Sequence, residues 1–257
     1  MAILYSTPSD KRTSITSSLW RYMSLGKLLQ MLESRTIWFS RVDQLIKVDP
    51  FEGSIPLRFA QAITDDQRAK DEAYEQLNHF APGTREQMRA TRLELHRAER
   101  IRTYVSCWHA AQSDNDAMWR LYGAEQDGSV CVQTTAARAF AQLPNWVRIG
   151  RVSYKAYDQE VFPTDNAFSP FFHKRTCFSH ENEVRWLINP LMDAMDTPWD
   201  QAAIGLAVPF DPDELLIRIC VSPASPDWFM DTVTATVERL GVKVPVEPAP
   251  MSMSPAF

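Results

Sequence analysis

Apolar positions along this chain switch repeatedly between helical and strand-like spacing. Residues 24–32 have helical spacing behind a serine that can cap the first turn, and residues 36–40 have the pattern of a strand. Further strand patterns follow at residues 102–108, 129–134, 147–154, 183–188, 203–209 and 215–221. Because few of these strands are joined by βαβ repeats, we expect an α+β fold: a single domain with a central, mostly antiparallel sheet flanked by helices.

The segments outside this pattern define the expected domain limits. Residues 65–102 are highly charged with helical spacing, broken at Ala81-Pro82-Gly83, and predict two exposed helices that form an insertion. A closing helix is expected after residues 225–227, with Gly241 at its stop position. Residues 1–18 are rich in Ser, Thr, Lys and Arg and predict a mobile leader. Residues 245–257 contain four prolines and predict an extended tail or an edge strand, which leaves 19–244 as the domain.

Composition narrows the class of protein further. The 257 residues are 45% hydrophobic and 23% charged, as is usual for a soluble globular protein. The four cysteines occur singly, which favours reduced thiols and a cytoplasmic location. No apolar run is long enough to predict a membrane partner. The net charge of −5 argues against general attraction to nucleic acid, although a local basic patch leaves that partner open; its members are Arg148, Arg151, Lys155, Lys174 and Arg175.

Two short motifs carry chemistry-bearing side chains near aromatic ones. In Asp49-Pro50-Phe51-Glu52-Gly53 we expect a structured turn in which Asp49 accepts backbone N–H groups; the alternative is a loop that shapes the entrance to a site. Cys107 and His109 would point to the same face of a strand. Inert packing and a Cys–His nucleophile pair both remain open for them. The spacing of His and Cys provides no set of zinc ligands, so we expect no metal.

A third motif places opposite charges on one side of a strand. If residues 181–188 form a strand, then Glu181, Glu183 and Arg185 share one face, and the apolar residues between them share the other. Lys174 adds a cation nearby in the sequence. The pattern is compatible with a surface ladder of ion pairs, which would contribute little to stability, and with the floor of a polar cleft. The sequence does not decide between them.

Taken in order, these segments resemble a bacterial family that is catalogued as domain of unknown function number 2971. The resemblance covers residues 19–244, and the family label implies no activity. The motifs that carry it are Trp20-Arg21-Tyr22, Phe39-Ser40, residues 49–53, Ser106-Cys107-Trp108, Met118-Trp119 with Tyr122, Gly128, Lys174, residues 181–185, and Leu216-Ile217 to Ser222-Pro223.

A second, more distant resemblance implies a reaction. A strand with a basic residue, a helix and a strand with a serine are similar to the start of ADP-ribosyltransferases, which bind NAD with an Arg, a Ser and a Glu on successive strands. The matching catalytic positions here are Arg21, Ser40 and Glu183, with Glu181 as the first carboxylate of a Glu-x-Glu pair. NAD would be the substrate. The chain departs from the family pattern because Ser40 is followed by Arg41 rather than by Thr and Ser.

The resemblance also implies which residues would hold NAD. Arg21 would bind phosphate, aromatic rings would stack on nicotinamide, and Glu183 would stabilise the positive charge that develops on the ribose. Strand alternation allows Tyr22, rather than Arg21, to face the cleft. The implied binding set comprises Arg21, Tyr22, Ser40, Trp119, Tyr122 and Lys174.

Three functions are therefore compatible with the sequence. The first is an ADP-ribosyltransferase-like enzyme that uses NAD, with a bacterial toxin or phage-defence effector as its setting and an unknown macromolecular acceptor. The second is a module without catalysis that binds a nucleotide-type small molecule or a protein. The third is a hydrolase of NAD or another nucleotide that uses the same carboxylates.

Overall fold

The architecture of the chain comes from a computed structural model that describes residues 1–5, 18–55, 65–123, 128–158, 167–193, 195 and 199–252. These residues form one α+β domain, which confirms the expected fold class. The strands are β1 (Ile3–Leu4), β2 (Ser18–Ser24), β3 (Thr36–Arg41), β4 (Tyr104–Ala110), β5 (Ser129–Thr135), β6 (Arg148–Arg151), β7 (Ser153–Lys155), β8 (His173–Arg175), β9 (Glu183–Ile188), β10 (Gly205–Pro209), β11 (Arg218–Val221) and β12 (Val246–Pro248). The α-helices are α1 (Leu25–Ser34), α2 (Val42–Leu45), α3 (Asp65–Leu77), α4 (Thr84–Arg100), α5 (Asp116–Tyr122), α6 (Ala136–Gln142), α7 (Pro212–Leu215) and α8 (Asp227–Arg239).

The main sheet has the strand order β1-β6-β9-β4-β2-β5-β11-β12, and β3 joins β10 to β4 beside this path. Its pairings are antiparallel except for β1 with β6 and β11 with β12. Strands β7 and β8 form a separate parallel ribbon. Strand β4 is therefore central: it pairs with β9 along its whole length on one side and with both β2 and β3 on the other.

One face of the sheet, called here the helix face, forms the main core. Alternate residues of each strand, such as Leu19, Trp108 and Trp186, point to this face and are almost completely buried. Helices α1, α6 and α8 cover them with the apolar side of each helix. The sheet is thus buried through aromatic and branched side chains, whose removal from water drives this packing.

The opposite face, called here the second face, is divided into three parts. A cluster around Trp20, Tyr22 and Trp119 lies under α5. A second apolar cluster, around Val105, Phe171 and Leu187, lies near α2. The side chains of Cys107, His109, Glu183 and Arg185 belong to the same face by strand alternation and occupy the interval between the two clusters. The second face therefore surrounds a polar centre with apolar packing.

Local signals explain several of the elements. The Ser24 side chain accepts the Lys27 backbone N–H at 3.4 Å and caps α1, and Gly241 follows α8 with a φ of +67°, which a glycine adopts without strain. Helices α3 and α4 occupy the charged segment 65–102. Their turn is held by Glu75, whose carboxylate accepts the backbone N–H groups of Gly83 and Arg85. Within the described ranges, no helix combines the length and apolar character needed to cross a bilayer.

The first and last segments differ from the expected leader and tail. Ile3 and Leu4 form β1 on the edge of the sheet, and Tyr5 stacks on Phe172 with ring centroids 4.1 Å apart. The expectation of a mobile leader therefore fails for this stretch, because its apolar side chains contact the sheet. The proline-rich segment includes edge strand β12, one of the two forms expected for it. Residues 6–17 of the leader and 253–257 of the tail lie outside the described residues.

Candidate functional site

The centre of the second face is a fully buried arginine. Arg185, on β9, donates from Nε and Nη2 to the two carboxylate oxygens of Glu183, at 2.7 and 3.0 Å. Its Nη1 donates to Glu52 Oε1 at 2.5 Å and to the Phe171 carbonyl at 2.6 Å. Because a buried charge is tolerated only with such partners, the four hydrogen bonds fix both the guanidinium and the Glu183 carboxylate in place.

The loop at residues 49–53 supplies Glu52 to this centre. Asp49 accepts the Phe51 backbone N–H at 3.0 Å, as expected for a capped turn, and it also pairs with Arg175 at 2.8 Å. Gly53 has a φ of +62°, and a Cβ there would lie 2.8 Å from the Phe171 ring. The loop is therefore packed against the polar centre. The ion pair between Glu52 and Arg185 was not expected from the sequence.

Lys174 links the two glutamates of the predicted Glu-x-Glu pair. Its Nζ lies 2.5 Å from Glu181 Oε2 and 3.5 Å from Glu183 Oε2. Glu181 Oε1 also accepts a hydrogen bond from the Tyr122 hydroxyl at 3.0 Å. The structure thus brings four predicted site residues together: Lys174, Tyr122 and both glutamates.

Glu181 reaches this position in a way that the strand pattern did not predict. Strand β9 begins at Glu183, and Glu181 ends the preceding 3-10 helix, Thr176–Glu181. The intervening Asn182 has a φ of +38°, a left-handed conformation that turns the chain between helix and strand. The expectation that Glu181 lies on the strand is therefore wrong, although its carboxylate still meets that of Glu183 at Lys174.

The buried charged side chains at this centre are called here the cluster: Glu52, Lys174, Glu181, Glu183 and Arg185. Opposite charges within the cluster stabilise one another. Burial alone raises the pKa of Glu183, but Arg185 and Lys174 outweigh it and lower the pKa below its ordinary value. Burial likewise lowers the pKa of Lys174, whereas Glu183, Glu52 and Glu181 together raise it above its ordinary value. The side chains of Glu183, Glu181 and Lys174 are 3%, 9% and 11% exposed. Such burial excludes the solvent-exposed ladder considered for this strand.

Arg21 lies at a different feature, the point where β2 and β3 separate. Strand β4 pairs with β2 at Trp20 and with β3 at Ser40, and residues 106–108 between these pairings form a notch on this side of β4. Arg21 fills the notch and donates to Ser106 Oγ at 2.9 Å and to the Trp38 carbonyl at 3.3 Å. Within the described part of the chain, no carboxylate pairs with this partly exposed guanidinium.

Ser40 borders the notch rather than the glutamates. It is paired with Val105, whereas Glu183 is paired with His109, four residues further along β4 and on its other side. Standard strand spacings place the Cα atoms of Ser40 and Glu183 about 16 Å apart. Strand alternation directs Arg21 to the opposite side of β2 from Tyr22, and therefore away from the face that carries Glu183. The structure thus separates the predicted triad into a notch with Arg21 and Ser40 and a cluster with Glu183.

Cys107 lies between these two groups. It is partly exposed and free. Burial, together with the Glu183 carboxylate, raises the pKa of its thiol well above the ordinary value, and burial lowers the pKa of the neighbouring Arg21. A raised pKa keeps the thiol protonated, which argues against the nucleophile considered for it. Cys107 instead marks a partly open part of the second face beside Glu183.

The predicted aromatic residues have unequal access to a ligand. Tyr22 and Trp119 pack edge to face, with ring centroids 4.8 Å apart, and both are buried. Tyr22 Oη accepts the Asn115 backbone N–H, and Trp119 Nε1 donates to Asp114. Tyr122 is 49% exposed and stands over Glu181. Of the three rings, Tyr122 is the one with a free surface for stacking.

Comparisons of the chain with protein-family models, curated proteins and solved structures found no match. The resemblances to family number 2971 and to ADP-ribosyltransferases therefore stay predictions. Among the residues that the structure describes, no group of three or more His, Cys, Asp or Glu side chains is arranged to hold a metal ion.

Proposed function

We propose that the chain binds NAD between the glutamates and the notch and breaks the bond between nicotinamide and ribose, as an ADP-ribosyltransferase-like enzyme. One observation supports this proposal above all: Glu181 and Glu183 converge on Lys174, while Arg21 at the nearby notch has no carboxylate partner among the described residues. A nucleotide with a cationic nicotinamide and an anionic diphosphate carries the complementary charges.

Glu183 has the properties of a group that stabilises developing positive charge. Its carboxylate is ionised and held by two hydrogen bonds from Arg185, so little reorganisation is needed when the ribose becomes cationic. Glu181 is the more exposed of the two glutamates, and it accepts a hydrogen bond from Tyr122 at the surface. In this proposal Glu183 stabilises the cationic ribose and Glu181 orients the acceptor.

Arg21 and Ser40 would act on the other end of the molecule. A guanidinium binds two phosphate oxygens at once through parallel N–H groups, and Ser40 provides a hydroxyl at the same notch. The interval of about 16 Å between Ser40 and Glu183 is of the order that an extended dinucleotide spans. The half-exposed ring of Tyr122 would stack on nicotinamide beside the glutamates.

The test is release of nicotinamide from NAD by the purified chain. We expect Glu183→Gln to slow release by about 100- to 1000-fold, the usual loss when a fixed electrostatic group is removed. Glu33→Gln, which changes an exposed carboxylate on α1, is the matched control and should leave the rate unchanged. NAD labelled on the adenylate half distinguishes transfer, which labels a macromolecule, from hydrolysis, which yields free ADP-ribose. Equal rates for the two variants would contradict the role of Glu183.

A second candidate is a module that binds a nucleotide without converting it. The burial of Glu183, whose side chain is 3% exposed, favours this candidate because a reacting ribose needs contact with the carboxylate. It predicts saturable binding of NAD by calorimetry with no nicotinamide release from the wild type. The setting as a toxin or phage-defence effector depends on which of the two outcomes is found.

A further inference from the structure

His109 occupies the second face beside the two glutamates, and among the described residues only one of its ring nitrogens has a hydrogen-bond partner. Its Nδ1 lies 2.6 Å from the Glu181 backbone carbonyl. Because a carbonyl oxygen can only accept, Nδ1 must carry the proton. Burial lowers the pKa of His109, so the neutral ring is favoured and Nε2 presents a bare lone pair. This nitrogen is buried and has no hydrogen-bond partner within the described residues.

The His109 ring lies between Glu181 and the aromatic residues under α5. On one side of the ring Nδ1 meets the Glu181 carbonyl, and on the other side the Tyr22 ring of β2 lies 6.4 Å away, measured between ring centroids. Solvent reaches this part of the second face on both sides, at the partly exposed Cys107 and the half-exposed Tyr122. A small donor to Nε2 would enter from one of these two sides.

An unmet acceptor at this position is unfavourable, because buried polar atoms normally have a hydrogen-bond partner. Water and hydroxyl groups are the smallest partners that can donate to a bare imidazole nitrogen. The side chains of both glutamates are already held by Lys174, Arg185 and Tyr122. His109 is thus the group beside them with an unused basic lone pair.

We infer that Nε2 of His109 binds the attacking water and takes its proton, which makes water, rather than a macromolecule, the acceptor at this site. This inference rests on the proposed cleavage of NAD. The water oxygen forms a bond to the ribose C1′ as the bond from C1′ to nicotinamide breaks, and the electron pair leaves with nicotinamide, which becomes neutral. The water proton passes to Nε2 and then to solvent, and the products are ADP-ribose and nicotinamide.

The substitution His109→Asn tests this role while keeping the structural hydrogen bond. The Asn side-chain amide nitrogen occupies nearly the position of Nδ1, so it can still donate to the Glu181 carbonyl, but no atom replaces Nε2. His79→Asn is the matched control, because His79 is exposed on the helical insertion and has a φ of +58°, which Asn tolerates. Equal melting temperatures for His109→Asn and wild type would show that the fold is retained.

We expect His109→Asn to release nicotinamide about 100- to 1000-fold more slowly than wild type, and His79→Asn to equal wild type. The wild-type rate should rise with pH to a plateau, with a midpoint below 6.5, because Nε2 must be unprotonated. His109→Asn should lack this dependence. The titratable groups around the ring are Glu181, His180, Tyr22, Glu183 and Cys107.

Each other result has a distinct meaning. Nicotinamide release by wild type that is unchanged in His109→Asn would overturn the role of His109 and leave the proposed function standing. A slower variant with the wild-type pH profile would also overturn it, because a purely structural role lowers the rate without removing the titration. Label from NAD on a macromolecule instead of free ADP-ribose would overturn water as the acceptor. No release by wild type would remove both proposals together.

Discussion

The Arg185 guanidinium holds Glu183 by two parallel hydrogen bonds in a region from which solvent is almost absent, with side-chain exposures of 0% and 3%. Ion pairs at a protein surface contribute little, because water screens both charges. A buried pair behaves differently: each partner is tolerated only while the other is present. The chain therefore depends on complementary charge at the centre of its second face.

Replacing Arg185 with leucine should destabilise the fold strongly. The change removes the ion-pair partner of buried Glu52 and leaves buried Glu183 with Lys174 alone, and we expect a loss of about 3–5 kcal/mol in the free energy of unfolding. Arg120→Ala breaks an exposed pair with Asp116 on α5 and should cost at most about 0.5 kcal/mol. Urea unfolding of both variants measures the difference. Similar midpoints would show that the buried network is not needed for stability.

The stability of the chain should depend on pH through Glu183. Its pKa is lowered from an ordinary value of 4.5 to about 2 in the folded state. The unfolded state therefore binds this proton first as the pH falls, so the contribution is fully present above pH 4.5 and is lost on the way down to about pH 2. Unfolding free energies measured over this range should fall more steeply for wild type than for Glu183→Gln. Parallel curves for the two proteins would contradict the lowered pKa.

Two glycine substitutions should change the stability of the chain in opposite directions. Gly53→Ala introduces a Cβ 2.8 Å from Phe171 at a φ of +62°, and we expect it to destabilise the chain by more than about 1 kcal/mol. Gly26→Ala adds a methyl group in the first turn of α1, where no atom lies within 4 Å, and should stabilise by about 0.5–1 kcal/mol. Thermal unfolding compares the pair directly. A stable Gly53→Ala would show that the loop at residues 49–53 can move away from Phe171.

Arg21→Met should weaken binding of NAD and leave binding of nicotinamide riboside, which lacks the diphosphate, unchanged. A guanidinium contributes about 1.5–3 kcal/mol to a charged hydrogen bond, which corresponds to a loss of roughly 10- to 150-fold in affinity. Arg239→Met, at an exposed position on α8, serves as the control. Calorimetric titration of both ligands is the measurement. Equal losses for the two ligands would place Arg21 away from the phosphates.

Local signals predicted much of the fold. The Ser24 cap, the break at Ala81-Pro82-Gly83 and the stop at Gly241 each act within one or two turns of chain, so they can be read from neighbouring residues. The site was less accessible to sequence reasoning. Glu52 and Arg185 are 133 residues apart, and their contact depends on the register of strands that the sequence does not specify.

Dependence on tertiary structure also explains why the prediction of the site residues was only partly correct. Strand alternation correctly grouped Glu183 with Arg185, but the left-handed Asn182 placed Glu181 on a helix end. The resemblance joined Arg21, Ser40 and Glu183 in one triad, whereas the divergence of β2 and β3 around β4 sets two of them at a notch. Such divergence arises from tertiary packing, so the spacing of apolar residues along the sequence does not predict it.

The outermost strands of the main sheet, β1 and β12, are two and three residues long, and β12 ends at Pro248. An unpaired strand edge is a template on which another chain can add a strand, and short edges with proline offer few free N–H groups for this. At these two edges the sheet therefore offers few free backbone N–H groups with which another chain could pair. Lengthening either of these border strands should therefore make the protein aggregate more readily.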